Sequence, residues 1–86
     1  MPEISRFFGI IILMHYNDHP PPHFHARYGE LKAIIDIETL TVLHGRLTPR
    51  ALGLVVEWAA LHQTELLADW ERAREQEQLV RIKPLE

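Results

Sequence analysis

A chain of 86 residues has room for one domain and no second core. With 47% apolar residues and a charged fraction of 24% mixed in sign, it should fold, which excludes a disordered chain. A formal charge of −3 argues against coating nucleic acid through bulk charge but leaves nucleic acid open as a partner of a local basic patch, and the lack of cysteine removes disulfides, thiolate metal sites and thiol nucleophiles.

FFGIIILMHY, residues 7–16, comes first among the apolar stretches. It is apolar on both alternating faces and reads as one central strand covered on both sides. It is too short to span a bilayer, has no basic leader, and runs into a His/Asp/Pro segment instead of a small-residue cleavage site. A cytoplasmic protein without a membrane segment is expected.

NDHPPPHFHARYGE, residues 17–30, carries His19, His23 and His25 around three prolines. HFHARY and LKAIIDI flank Gly29-Glu30, and glycine at the first position of a two-residue loop suits a type II′ hairpin. The turn sets the register: Tyr28 faces Leu31, Arg27 faces Lys32, His25 faces Ile34 and His23 faces Asp36. Alternation then puts Phe24, Ala26, Tyr28, Leu31, Ala33, Ile35 and Ile37 on a core face. His23, His25, Arg27, Lys32, Ile34 and Asp36 share the other, which is too polar to bury without partners. TVLHGRL supplies a fourth short strand ended by Gly45.

Thr48-Pro49 starts a helix with a capping hydroxyl and a proline in the first turn. Leu52, Val55, Ala59, His62, Leu66, Trp70 and Ala73 follow at spacings of three and four. Unbroken from Pro49 to Gln76, the helix would measure ~42 Å, whereas a domain of this size is only about 31 Å across. It must bend near His62-Gln63-Thr64 or project. A projecting half would expose Leu66 and Trp70 as an apolar patch, so a homodimer or hetero-complex with these two at its interface is expected. VRIKPL reads as an edge strand or an ordered tail. The expected fold is α+β: an antiparallel sheet of three to four strands with one long or kinked C-terminal helix on one face. Residues 1–47 form the sheet region, 48–77 the helical region and 78–86 the tail.

Two chemistries suit the polar face. His23 and His25, two apart on a strand, with Asp36 opposite, make a two-histidine, one-carboxylate set for a divalent metal with open positions. Alternatively His23, His25, Arg27 and Lys32 bind a phosphate and move a proton, as metal-independent ribonucleases do. Each residue also has an ordinary role, as a cross-strand polar pair or a solvated surface. His19, held about 12 Å from His23 if the prolines are extended, is better placed to bond its own loop. His44 and His62 read as packing or surface histidines, and Trp58 as a core anchor. No dinucleotide, P-loop or serine-elbow motif occurs to suggest other enzymes, and the cofactor stays open, with a divalent metal among the candidates.

Asp18-His19, Pro21-Pro22-His23-Phe24-His25-Ala26, AIIDIETL and LTPRALGLVVEWAALHQTELLADWERA together resemble a small bacterial family known as domain of unknown function 4160. The resemblance covers nearly the whole chain. It implies a cytosolic bacterial protein whose gene is often paired with one for another small family, domain of unknown function 2442, as in toxin–antitoxin modules. On that basis the expected function is a protein-binding, regulatory component of such a two-gene module, with a partner from the adjacent gene. The alternative is a small hydrolase or ribonuclease using the histidine face, with or without a metal. An aromatic usually stands in that family where this chain has His15, which makes His15 a poor candidate for shared chemistry.

Overall fold

The computed structural model describes residues 2–86. Five strands, β1 (Glu3–Phe7), β2 (Ile10–Leu13), β3 (His23–Tyr28), β4 (Leu31–Asp36) and β5 (Val42–Gly45), form an antiparallel meander in the order β1-β2-β3-β4-β5. Two helices follow, α1 (Pro49–Leu61) and α2 (Gln63–Arg74). None is long and apolar enough to cross a membrane.

The first apolar run is not one strand, and this adds the fifth strand to the sheet. Phe8 (φ 51°) and Gly9 (φ 79°) reverse the chain between the paired residues Phe7 and Ile10. Two consecutive positive φ values mark a type I′ loop, which matches the twist of a two-stranded ribbon. The apolar pattern runs unbroken through this loop, so periodicity does not reveal it.

The second hairpin follows its turn residues. Gly29 has φ 61°, and the pairs Tyr28↔Leu31, Arg27↔Lys32, His25↔Ile34 and His23↔Asp36 all form. Phe24, Ala26, Ala33, Ile35 and Ile37 are buried in the core, whereas Tyr28 at the turn stays exposed. β5 is an edge strand with all four residues exposed.

Thr48 caps α1 as expected, its hydroxyl accepting from the Ala51 N–H at 3.1 Å. Trp58 sits fully buried in the centre of the core, its ring 5.3 Å from Phe7 and 5.9 Å from Phe24. Its indole N–H donates to the Lys83 carbonyl, tying in the C-terminal segment. That segment is an ordered tail: Ile82 N–H donates to the Ile4 carbonyl and Ser5 Oγ donates to the Ile82 carbonyl.

The long helix breaks at His62 (φ −130°), which ends α1 and precedes α2. The Gln63 side-chain amide donates to the Ile37 carbonyl, docking the first turn of α2 at the end of β4. This corrects the expected exposed patch. Leu66 is 0% and Trp70 3% exposed, because the bend returns the second half of the helix to the chain's own core. The molecule measures 33 × 25 × 22 Å, shorter than a straight helix would need.

Candidate functional site

The polar face of β3 meets the loop that precedes it. This loop, Tyr16–Pro22, folds back so that Asp18 stands over the strand start. Asp18 Oδ2 lies 2.9 Å from His23 Nε2 and 3.2 Å from His25 Nε2. The three ligand-type atoms are all within 4.8 Å of one another. On the far side of its ring, His23 Nδ1–H donates to the Pro21 carbonyl at 2.8 Å. Trp70 packs on the same imidazole at 5.1 Å between ring centroids, and His23 is buried. The other face of the cluster is closed by His15, whose ring meets that of His25 edge-on at 3.9 Å. An aromatic side chain in place of His15 would serve the same packing.

The carboxylate that meets both imidazoles is thus that of Asp18, where the sequence reading placed Asp36. Asp36 is in register with His23, but its Oδ1 accepts from the Glu38 and Thr39 backbone N–H groups and closes the turn after β4. An acidic residue two positions before a tight turn commonly takes this role. His19 stays outside the cluster; its backbone N–H donates to Asp18 Oδ1 and helps aim the carboxylate. His62 pairs with Glu65 on α2, and His44 is exposed on β5.

The electrostatics divide the cluster into an anion and a neutral base. Burial raises the Asp18 carboxyl pKa, but its polar contacts with the His23 and His25 imidazoles and the His19 N–H outweigh it and bring the value down to about 2. His25 is lowered, chiefly by burial and also by the neighbouring His15 and His23, against the opposing pull of Asp18. Asp18 is therefore ionised at neutral pH and His25 uncharged.

Beside this cluster a cleft of about 290 Å³ is lined by Leu13, His15, His25, Ala26, Arg27 and Lys32. Arg27 and Lys32 face each other across β3 and β4, and neither has an ion pair among the described residues. A larger cavity, about 480 Å³ between Phe8, Tyr28, Arg50 and Leu54, has no histidine or carboxylate in its lining. The chemistry-bearing side chains gather at the smaller cleft.

Residues 9–71 match the family described as domain of unknown function DUF4160. The chain belongs to this family. The matched segment contains Asp18, His23, His25, Arg27, Lys32 and Trp70, and leaves out β1 and the C-terminal tail. No curated protein and no solved structure matches the chain.

Proposed function

We propose that this DUF4160 protein is a small hydrolase acting on phosphate esters. The observation that carries the reading is the unpaired Arg27–Lys32 couple lining one cleft with His25. Like charges directly opposite on a sheet destabilise it, and among the described residues no carboxylate forms an ion pair with either of them. An anionic substrate group would supply the missing charge, and phosphate suits both the forked guanidinium and the ammonium. The Asp18–His23–His25 cluster at the end of the cleft would take the proton of an attacking water. The water oxygen bonds to phosphorus, the ester P–O bond breaks, and the departing oxygen receives a proton.

Purified protein is expected to hydrolyse bis(p-nitrophenyl) phosphate. Arg27→Gln combined with Lys32→Gln should lower kcat/KM by about 10- to 100-fold, the equivalent of losing charged hydrogen bonds to substrate. Unchanged kcat/KM in that double variant, or no turnover by the wild type, would remove this reading.

A second reading, a cytoplasmic, protein-binding component of a two-gene bacterial module, is favoured by β5. All four of its residues are exposed, including Val42 and Leu43, and one backbone edge is open to strand addition. Co-expression with the product of the neighbouring gene should then protect the Val42–Gly45 amides from hydrogen exchange. A co-expressed pair with unprotected β5 amides would argue against this edge as the docking site.

A further inference from the structure

We propose that Asp18, His23 and His25 form a mononuclear site for a divalent transition metal ion. The inference does not rest on phosphate-ester hydrolysis: the ion can bind whether or not the cleft turns over a substrate, and once held on these nitrogens it would take over their part by acidifying a bound water.

The argument starts from the hydrogen on His23. A carbonyl oxygen only accepts, so the 2.8 Å contact with Pro21 requires the proton on Nδ1. In a neutral ring Nε2 then carries a bare lone pair. That lone pair lies 2.9 Å from Asp18 Oδ2, an atom that also has only lone pairs to offer when ionised. Two electron-rich atoms do not sit at that distance without a positive charge between them. Either a second proton makes His23 an imidazolium, or a cation occupies the position.

Three features favour the metal ion. The first is convergence: His25 Nε2 approaches the same Oδ2 at 3.2 Å, so both imidazoles aim the same nitrogen at one point. A neutral His25 can meet its own contact with an Nε2–H, but a single ion would engage all three donor atoms at once. The second is spacing. Ligands bound at ~2.1 Å stand ~3.0 to ~3.4 Å apart at right or tetrahedral angles around an ion, close to the two N–O separations, and all three donor atoms lie within 4.8 Å of one another. The third is the support behind the ligands. A metal-bound histidine usually donates its remote N–H to a carbonyl or carboxylate, which fixes the tautomer. His23 does so to Pro21, and Trp70 packs on its ring.

The donor set also selects the ion. Two imidazoles and one carboxylate suit Zn²⁺, Mn²⁺, Fe²⁺ or Co²⁺ and are poor for Ca²⁺ or Mg²⁺, which prefer all-oxygen shells. Three protein ligands leave positions for water or substrate. The nearest fixed cations do not oppose binding strongly. Arg27 is two residues beyond His25, about 7 Å along the strand, and Lys32 is opposite Arg27. Asp36 stands directly across from His23 and adds a negative field at the other end.

The test uses the full chain, titrated with Zn²⁺ and Co²⁺ by calorimetry and visible absorption, with long-range ¹H–¹⁵N spectra of the histidine rings. We expect about one equivalent of saturable binding, with the Nε2 resonances of His23 and His25 shifting. Asp18→Asn is nearly isosteric and should weaken binding more than about tenfold, since losing a ligand costs more than losing a supporting contact. Asp36→Asn keeps an oxygen for the turn and should leave affinity within about twofold. Circular dichroism checks that each variant is folded, and the ring spectra of the wild type decide the matter if one is not. Absence of saturable binding at 100 µM metal, unshifted His23 and His25 nitrogens, or an Asp36→Asn loss equal to that of Asp18→Asn would overturn the proposal. Binding without phosphodiester turnover would sustain it while refuting the hydrolase reading.

Discussion

Replacing Trp70 by alanine separates a core role from an interface role. In the folded chain Trp70 is 3% exposed, follows Leu66 by one helical turn, and packs its ring against His23. A buried aromatic of this size removes about 150–250 Å² from water, worth roughly 4–6 kcal/mol at the usual coefficient. Partial collapse of the cavity reduces that, and measured Trp→Ala costs in cores are about 3–5 kcal/mol. Small domains have only about 5–15 kcal/mol in total, so the variant should sit near its folding threshold. At about 4–8 °C per kcal/mol for a domain of this length, the midpoint should drop by more than about 12 °C. Urea denaturation of wild type and Trp70→Ala, each at two protein concentrations, is the assay. The loss should be the same at both concentrations, and Trp70→Phe should recover much of it. A cost below about 1 kcal/mol, combined with a wild-type midpoint that rises with concentration, would mean that Trp70 is held by a second chain. The burial argument would then fail.

Two glycines with positive φ should respond very differently to alanine. At Gly45 (φ 75°) an added Cβ would stand 2.1 Å from the Lys32 carbonyl oxygen, so backbone must move. Gly45→Ala should cost well over 2 kcal/mol, or release β5 and expose its amides to exchange, beyond the ~1–2 kcal/mol of left-handed strain alone. At Gly29 (φ 61°) nothing lies within 4 Å, and Gly29→Ala should show only that strain in denaturant midpoints. Equal costs at the two sites would contradict the close approach of β5 to Lys32.

The metal-free protein should also lose stability in acid through Asp18. Its carboxyl pKa falls from 3.8 to about 2 on folding, so the folded state favours the ionised form. The contribution is complete above the unfolded value and disappears as pH drops through 3.8 towards about 2. The side chain is about a quarter exposed, so solvent screening reduces the contribution to about 1 kcal/mol. Asp18→Asn should therefore be destabilised at pH 6 and equal to wild type near pH 2 in metal-free denaturation curves. A constant difference across that range would show that the loss is steric.

Turn chemistry and periodicity made much of this protein legible. Gly29-Glu30 sets the β3–β4 register residue by residue, because a two-residue loop leaves no freedom in pairing. Thr48-Pro49 marks the start of α1 because a hydroxyl cap and a fixed φ act within one turn. The DUF4160 membership was likewise readable from Asp18-His19 and Pro21–Ala26 with the flanking segments. His23 and His25 share a strand face by alternation alone. Other features depend on parts of the chain meeting in space. Phe8-Gly9 reverses inside an unbroken apolar run, and only the burial of Ile10 and Ile12 beside β3 shows why two strands are better than one. Whether the long helix projects or bends at His62 depends on the reach of the sheet beneath it, and the answer moves Leu66 and Trp70 from surface to core. The carboxylate of the cluster shows the same limit. Strand register brings Asp36 opposite His23, but local N–H groups after β4 claim its oxygen. The folded-back proline loop delivers Asp18 instead, through a path that periodicity does not encode.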